Sequence, residues 1–468
     1  MIKFRKVKKI HMVGIGGTGM CGIAEVLWNS GYKVTGSDTR LTDVTRRLGD
    51  LGIKIFEGHC AANVENADVL VTSSAVSNGN PEVVFARDRK IPVIRRSEML
   101  GELMRMKFGI GVAGTHGKTT TTSMIGQILS EAGLDPTIVV GGRVIDWESN
   151  SKLGEGEYLV AEADEFDRSF LRLTPTVAVI TTLEAEHLDY YRDLEEIEDA
   201  FLEFVYKVPF YGSVILCADE KALQNLLPKI QKRVTTYGLS SLSDLQAADL
   251  SFDQNRSDFK VRYKKKALGE LNLKVAGVHN VKNSLAGVAV GLELDIPWEK
   301  IKDALDNFQG VNRRLEIKGE VSGILVVDDY AHHPTEIEVS LKALREGWKR
   351  RIITVFQPHL FSRTKDFCQE FGRTLSNSDI LVITSIYPAR ERPIPGVSSE
   401  LIARAAKEYG HQEVYHIPEK EEVIPFLREM LRENDVVITM GAGDIYKIGE
   451  ELISALSSES LSQGKEKN

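Results

Sequence analysis

The chain reads as an α/β protein built from three nucleotide-fold units, and three observations predict this. Glycine-rich turns at 14–19, 114–117 and 441–443 each follow an apolar run and precede a helical pattern. Short apolar runs of strand length alternate with helix-like segments along the chain, the pattern of parallel sheets. Acids and glycines gather at the carboxyl ends of those runs, where open α/β sheets bind ligands. Sheet patterns restart near 107 and 310, so the expected domains are 1–107, 108–310 and 311–468. A chain of 468 residues is too long for one core, which agrees with several domains.

The first unit opens with Lys9–Val13 as a strand, then Gly14-Ile15-Gly16-Gly17-Thr18-Gly19 and an apolar helix through Met20, Ile23, Ala24 and Leu27. This is a GxGxxG turn between strand and helix, which predicts a Rossmann-like fold. The next strand, from Tyr32, ends in Ser37-Asp38, about where a carboxylate meets a ribose or sugar hydroxyl. A further strand runs from Asp68 into Ser73-Ser74.

The second unit starts with the apolar run Phe108–Ala113 and continues Gly114-Thr115-His116-Gly117-Lys118-Thr119-Thr120-Thr121-Thr122. A tight glycine turn opening a helix points backbone N–H groups at one spot, which favours a polyphosphate. Lys118 adds a point charge at the outer phosphates, and the Thr119 hydroxyl can ligate Mg²⁺. The loop is shortened, because Val112 stands where the usual P-loop has its first glycine. A plain turn with a surface lysine is the bland alternative, and the strand before and helix after argue against it. Glu162, ending the strand from Tyr158, and His187, after the strand from Val177, follow as candidate metal ligands. Taken singly, each is at least as readily a salt-bridge partner or a packed histidine. Asn280 and Asn283 lie one helical turn apart, either reading an adenine edge or capping a helix.

The third unit has strands at Ile324–Val327, Ile352–Phe356, Ile380–Thr384 and Val436–Met440. Arg313-Arg314 at its start could reach a transferring phosphoryl group. Asp328-Asp329-Tyr330-Ala331-His332-His333-Pro334 crowds charge into a strand-to-helix turn, a density that points to a ligand. Adjacent histidines without a third ligand argue against zinc.

Composition limits the alternatives. Hydrophobic content of 42% and charged content of 27% describe an ordinary globular chain, and a net charge of −8 gives no support for nucleic acid or an anionic membrane. The basic start (Lys3, Arg5, Lys6, Lys8, Lys9) runs into glycines, not into an apolar signal segment, and no apolar run nears the ~20 residues of a membrane helix. Cys21, Cys60, Cys217 and Cys368 are scattered, as in a reducing cytoplasm. The last dozen residues read as a frayed tail.

The segments GIGGTGM, AGTHGKTTTT, EADE, EHLDYY, PFYG, GVHNVKNSLA, NRRLE, DDYAHHPTEI, FQPHLFSRT, IYPARERPIPG and GAGD appear in that order. Together they resemble the Mur ligase family over essentially the whole chain, and its alanine-adding members most. The resemblance implies an N-terminal Rossmann-like domain for a UDP-sugar, a central P-loop ATPase-type α/β domain and a C-terminal Rossmann-like domain for an amino acid. It implies a cytoplasmic ligase that uses ATP and Mg²⁺ (two ions, with Mn²⁺ able to substitute) to join L-alanine to UDP-N-acetylmuramate through an acyl phosphate. Gly114, Thr115, His116, Gly117, Lys118, Thr119 and Thr120 would bind phosphates, and Thr119, Glu162 and His187 the metal. Asn280 and Asn283 would hold adenine. Arg314 and Asp329 would face the nucleotide, with His332 and Arg363 near the amino acid. Gly16, Gly17, Thr18, Ser37, Asp38 and Ser73 would line the UDP-sugar site. Lys118, His332 and Arg363 are the expected catalytic residues.

Two departures from the family pattern stand out. The helix after the metal-site histidine has no convincing match to the carbamylated lysine of other members, so none is expected. Leu360 stands where some alanine-adding members have arginine, leaving Arg363 as the firmer cation. Expected partners are the small substrates alone, in a monomer or weak homodimer. The nearest alternative is a ligase that recycles a tripeptide onto the same UDP-sugar. A dehydrogenase using the first glycine turn for NAD leaves the lysine loop unexplained, and a non-catalytic ATP switch would not depend on a small amine.

Overall fold

A computed structural model describes residues 6–73, 75–144, 149–166, 168–186, 190–389 and 391–465. Three sheets follow one another along the chain. The first is fully parallel, with strands β1 (Lys9–Val13), β2 (Lys33–Asp38), β3 (Lys54–Glu57), β4 (Val69–Thr72) and β5 (Val93–Arg95) in the order β3-β2-β1-β4-β5. Helices α1 (Thr18–Asn29), α2 (Asp43–Asp50), α3 (Pro81–Asp88) and α4 (Arg96–Arg105) accompany it. The strand order reverses direction at β1, so a crevice opens at the carboxyl end of that strand, where the GxGxxG turn sits.

The central sheet has ten strands: β6 (Phe108–Ala113), β7 (Thr137–Val144), β8 (Ser149–Lys152), β9 (Tyr158–Ala163), β10 (Val177–Ile180), β11 (Ser213–Cys217), β12 (Val234–Gly238), β13 (Leu245–Asp253), β14 (Arg256–Tyr263) and β15 (Lys266–Leu273). Their order is β15-β14-β13-β12-β11-β10-β6-β9-β7-β8, and β6 lies parallel between β9 and β10. That neighbourhood makes the end of β6 the switch point, and α5 (Lys118–Glu131) starts there. Helices α6 (Leu194–Tyr206), α7 (Lys221–Leu226), α8 (Val278–Glu293) and α9 (Trp298–Asp306) complete the segment.

The third sheet orders as β16-β17-β21-β18-β19-β20, with strands β16 (Glu316–Val321), β17 (Ile324–Asp329), β18 (Arg351–Phe356), β19 (Ile380–Ile383), β20 (Val414–His416) and β21 (Asp435–Met440). Only the β16–β17 pair is antiparallel. Its helices are α10 (Pro334–Gly347), α11 (Phe361–Asp366), α12 (Cys368–Leu375), α13 (Glu400–Glu408), α14 (Val423–Met430) and α15 (Tyr446–Lys465). Apolar side chains fill both faces: Val327, Leu341, Ile352, Phe356 and Ile438 on one, Val326, Ile353, Val437 and Leu452 on the other. Strands buried on both faces read as near-continuous hydrophobic runs, which is why these were visible in the sequence.

Compactness divides the chain in two rather than three. One unit comprises Met1–Leu250, Phe259–Asn272 and Asn280–Val311, and the other Ser251–Asp258, Leu273–His279 and Asn312–Asn468. The first two sheets therefore share a unit. Glu25 of α1 is buried, pairs with Arg47 at 2.5 Å and accepts a hydrogen bond from Ser151 of β8 at 3.2 Å. Gly101 of α4 has no room for a side chain, because a carbon there would come 2.5 Å from the Arg172 carbonyl. Among the described residues no helix is long and apolar enough to cross a membrane.

Candidate active site

The glycine loop 114–117 owes its shape to two glycines and two threonines. Gly114 (φ +138°) and Gly117 (φ +79°) take conformations that other residues adopt only with strain. A side-chain carbon at Gly114 would fall 2.1 Å from the Thr181 hydroxyl. Just after β10, Thr182 accepts from Thr115 N through its carbonyl (3.1 Å) and from His116 N through its hydroxyl (2.8 Å). Thr181 donates to the His116 carbonyl at 2.5 Å. These threonines were not anticipated, because they are 66 or so positions away in sequence.

Lys118 begins α5 and curls back over its own loop. Its Nζ donates to the Gly114 carbonyl at 2.7 Å and the Thr115 carbonyl at 3.2 Å, and meets both oxygens of Glu165 at 2.9 Å. Burial alone would lower the ammonium pKa, but Glu165 and Asp164 outweigh it and hold the group charged. Glu165 is itself buried, and burial pushes its carboxyl up to about 7 against the pull of Lys118. Thr120 is buried.

Glu162 ends β9 beside this loop. Its Oε1 accepts from Gly141 N at 2.8 Å, and the Thr119 hydroxyl donates to the same carboxylate. Enclosure raises its pKa, opposed by those two hydrogen bonds and by Lys118. A hydroxyl and a half-buried carboxylate in contact form an oxygen donor set that suits Mg²⁺. His187 lies outside the described residues.

Asn280 and Asn283 fall in the first turns of α8 and past its first residue, which removes the capping reading. Asn283 donates to Asn280 Oδ1 at 3.2 Å and accepts from the Thr121 hydroxyl at 3.2 Å. A carbon on Gly117 would come 2.6 Å from Asn283 Oδ1, so α8 braces the glycine loop directly.

The N-terminal glycine turn is built differently from its sequence reading. Gly14 N and Ile15 N both donate to the Ser37 carbonyl, and Gly16 N donates to Asp38 Oδ2 at 2.8 Å. A carbon on Gly16 would strike Thr45 at 2.8 Å and Asp38 at 2.9 Å, so the turn itself needs glycine there. A carbon on Gly17 would make only ordinary contacts, the nearest with the Gly14 carbonyl at 3.4 Å. The Ser73 hydroxyl covers Gly14. Ser37 is fully buried and donates to Glu82 Oε2 at 2.6 Å. The Thr18 side chain lies outside what the structure describes.

Glu82 is fully buried with Ser37, His59, Asn63 and His11 around it. Burial alone would raise its pKa, yet His11, 3.6 Å away, and hydrogen bonds from Ser37 and Asn63 hold it at about 2. A carboxyl depressed in the folded state gives stability that is present above its unfolded value of 4.5 and lost as pH falls through 2. Glu82→Gln is therefore expected to cost about 3 kcal/mol at pH 7. Urea unfolding of both proteins checks this: the difference should shrink between pH 4.5 and 2, and a constant difference would contradict it.

In the other unit, Arg313 ties the end of β17 to the last glycine turn. It bonds Asp328 at 2.8 Å and the carbonyls of Gly443 at 3.0 Å and Gly441 at 2.6 Å, with its guanidinium over Tyr330 and Tyr446. Asp329 is buried, and its carboxylate accepts from Leu315 N, Ala331 N and the Ser340 hydroxyl, which holds the turn after β17. Burial pushes it up to about 6 despite Arg314. Arg314 pairs with Glu336 at 3.2 Å and lies over Tyr330.

His332 Nδ1 sits 3.0 Å from the Tyr330 carbonyl and 3.1 Å from Glu336. The sequence reading missed His359, whose ring contacts His332 at 5.8 Å, stacks on Tyr387 at 5.9 Å and lies 3.3 Å from Arg363 Nη1. Burial, His332 and Arg363 push its pKa down to about 4, so it is neutral at physiological pH. Leu360, next to it, has φ +73°, a conformation that favours glycine, and donates to the Tyr387 carbonyl at 3.0 Å.

Family models match along the chain: "Mur ligase family, catalytic domain" over 9–108, "Mur ligase middle domain" over 112–291 and "Mur ligase, glutamate ligase domain" over 313–443. A UDP-N-acetylmuramate–L-alanine ligase of Desulfatibacillum aliphaticivorans is 52% identical, across 97% of this chain and the whole of that one. Among solved structures, the UDP-N-acetylmuramate-alanine ligase of Thermotoga maritima matches with a TM-score of 0.82 at 30% identity, covering 96% of this chain and 99% of that one. A murein peptide ligase of Psychrobacter arcticus matches with a TM-score of 0.70 at 26% identity, covering 96% and 98%.

Proposed function

The chain belongs to the Mur ligase family, and on that footing we propose that it joins L-alanine to the lactyl carboxylate of UDP-N-acetylmuramate, splitting ATP to ADP and phosphate in peptidoglycan precursor synthesis. The observation that carries the reading is a glycine loop whose helix opens with Lys118 and Thr119, with Thr119 in contact with Glu162. A carboxylate is a poor electrophile. Its oxygen attacks the γ-phosphorus of ATP, ADP leaves, and the acyl phosphate so formed accepts the amine nitrogen. A tetrahedral intermediate then collapses with loss of phosphate and of the amine proton.

The loop 114–120 and Lys118 take the phosphates, and α8 with Asn280 and Asn283 takes the adenine. Thr119, Glu162 and His187 hold Mg²⁺, with two ions expected and Mn²⁺ able to replace them. When bound, the metal neutralises charge between the approaching anions. Gly16, Gly17, Thr18, Ser37, Asp38 and Ser73 serve the UDP-sugar. His332 and Arg363, joined by His359, serve the amino acid, and Arg314 and Asp329 serve the nucleotide. We assign the three segments 1–107, 108–310 and 311–468, a cytoplasmic location, no nucleic-acid partner, and a monomer or weak dimer.

A second reading, attachment of a whole tripeptide to the same UDP-sugar, is favoured by the likeness to the murein peptide ligase. Phosphate release from ATP with UDP-N-acetylmuramate separates the two. L-alanine should stimulate it strongly and the tripeptide should not. Stimulation by the tripeptide alone would overturn the alanine assignment.

A further inference from the structure

Arg96 begins α4 at the carboxyl end of β5, on the crevice side of the first sheet. It lies flat against the first turn of α1: a carbon on Gly19 would come 2.6 Å from its Nη1, 3.0 Å from Cζ and 3.2 Å from Cδ. The third glycine of a GxGxxG turn ordinarily lets helix and strand approach. Here it makes room for a guanidinium. That helix is entered at Gly17, which offers no side-chain cap and where an added carbon would meet the Gly14 carbonyl at 3.4 Å and the Met20 side chain at 3.8 Å. The positive end of the α1 dipole on one side and an arginine on the other form a cationic cleft.

What Arg96 holds instead of an anionic ligand is weak. Its Nη2 is 3.9 Å from Asp164 Oδ2, beyond hydrogen-bond distance, and both side chains are partly exposed. The adjacent Glu165 performs the same service for Lys118, the cation of the phosphate loop. Two consecutive carboxylates after β9 thus occupy two cations, one at each glycine turn. The geometry points to Arg96 as a substrate-binding residue that grips the diphosphate of the UDP-sugar, exchanging Asp164 for it. A planar guanidinium matches two phosphate oxygens at once, whereas its present pairing matches neither carboxylate oxygen well. This rests on the UDP-sugar reading of the glycine turn.

Calorimetric titration of the full chain with UDP-N-acetylmuramate, and separately with UDP, tests it without ATP. Arg96→Gln should weaken both ligands about 10- to 100-fold, the range of a charged hydrogen bond. Arg96→Lys should recover part of the loss, and thermal unfolding of each variant confirms that it folds. Asp164→Asn should bind at least as tightly as the wild type, because a competing anion is gone. Unchanged affinity in Arg96→Gln, or equal weakening in Arg96→Gln and Asp164→Asn, would make the pair a tie between the two sheets and overturn the assignment. A loss seen with the UDP-sugar but not with UDP would move the contact off the diphosphate and also overturn it. No binding of either ligand to the wild type would instead sink the substrate reading itself.

Discussion

Lys118→Ala is expected to lower the rate of ligation by on the order of 10²–10³, the usual loss when one donor to a developing charge is removed. Phosphate release with ATP, UDP-N-acetylmuramate and L-alanine measures it, and turnover within about threefold of wild type would sink the idea. The structure adds a second consequence. Lys118 is the ion-pair partner of buried Glu165 at 2.9 Å, so its removal strands a carboxylate. Breaking a buried pair from one side costs about 3–5 kcal/mol when the remaining group stays charged. Glu165 already stands at about 7 with the lysine present, and without it the carboxyl rises further. A carboxyl raised in the folded state favours folding fully below its unfolded value of 4.5, and that contribution is lost as pH rises through the folded value. The variant should therefore melt closest to wild type in mild acid and lose ground toward pH 8. Lys118→Ala combined with Glu165→Gln should regain stability at pH 8 but none of the activity. A double variant as unstable as the single one would show that the pair is not the cause.

Local motifs were legible because their chemistry is contiguous. Gly114 through Thr119 must be adjacent to form a phosphate loop, and the strand before it is buried on both faces, so hydrophobicity marks it. The same holds for Gly14–Gly19 and for β17, β18, β19 and β21. What escaped was set by tertiary neighbours. Ser37 and Asp38 are adjacent in sequence and looked equivalent. The period-two alternation of a strand sends one to buried Glu82 and the other to the glycine turn. The Glu165 partnership with Lys118 spans 47 positions, and Thr182 meets His116 across 66. Strands β13 to β15 carry no continuous apolar run to mark them, because buried and exposed residues alternate along them. His359 sat in view within FQPHLFSRT, yet its neutral state depends on His332 and Arg363 folding against it. Arg96 follows Arg95, and a basic pair at the start of a helix looks like solvated surface until Gly19 is seen beneath one of them.

Glu162→Gln should separate activity from stability in opposite directions. Oε1 accepts from Gly141 N at 2.8 Å, and Gly141 has no side chain where a carbon would come 2.8 Å from Oε2. The carboxylate is thus placed by backbone on one side and by the Thr119 hydroxyl on the other. Glutamine keeps its oxygen on Gly141 but replaces the other carboxylate oxygen with an NH₂ group, a donor that cannot ligate a cation, and removes the negative charge. Phosphate release measured against free Mg²⁺ at saturating ATP should then need at least about tenfold more metal for half activation, with a maximal rate lower by about 10²-fold. Glu162 is raised above its ordinary value by enclosure, so the ligand-free protein carries a charged group it would hold more easily as a neutral one. For such a carboxyl the favourable contribution is complete below the unfolded value and lost as pH rises through the folded value. Glu162→Gln should consequently melt higher than wild type at pH 8 without metal, with the gain fading toward pH 4. A stability gained by removing a residue that activity requires is the mark of a site kept strained for function. An unchanged Mg²⁺ requirement, or a variant that is less stable at pH 8, would place Glu162 among the groups that merely hold the loop.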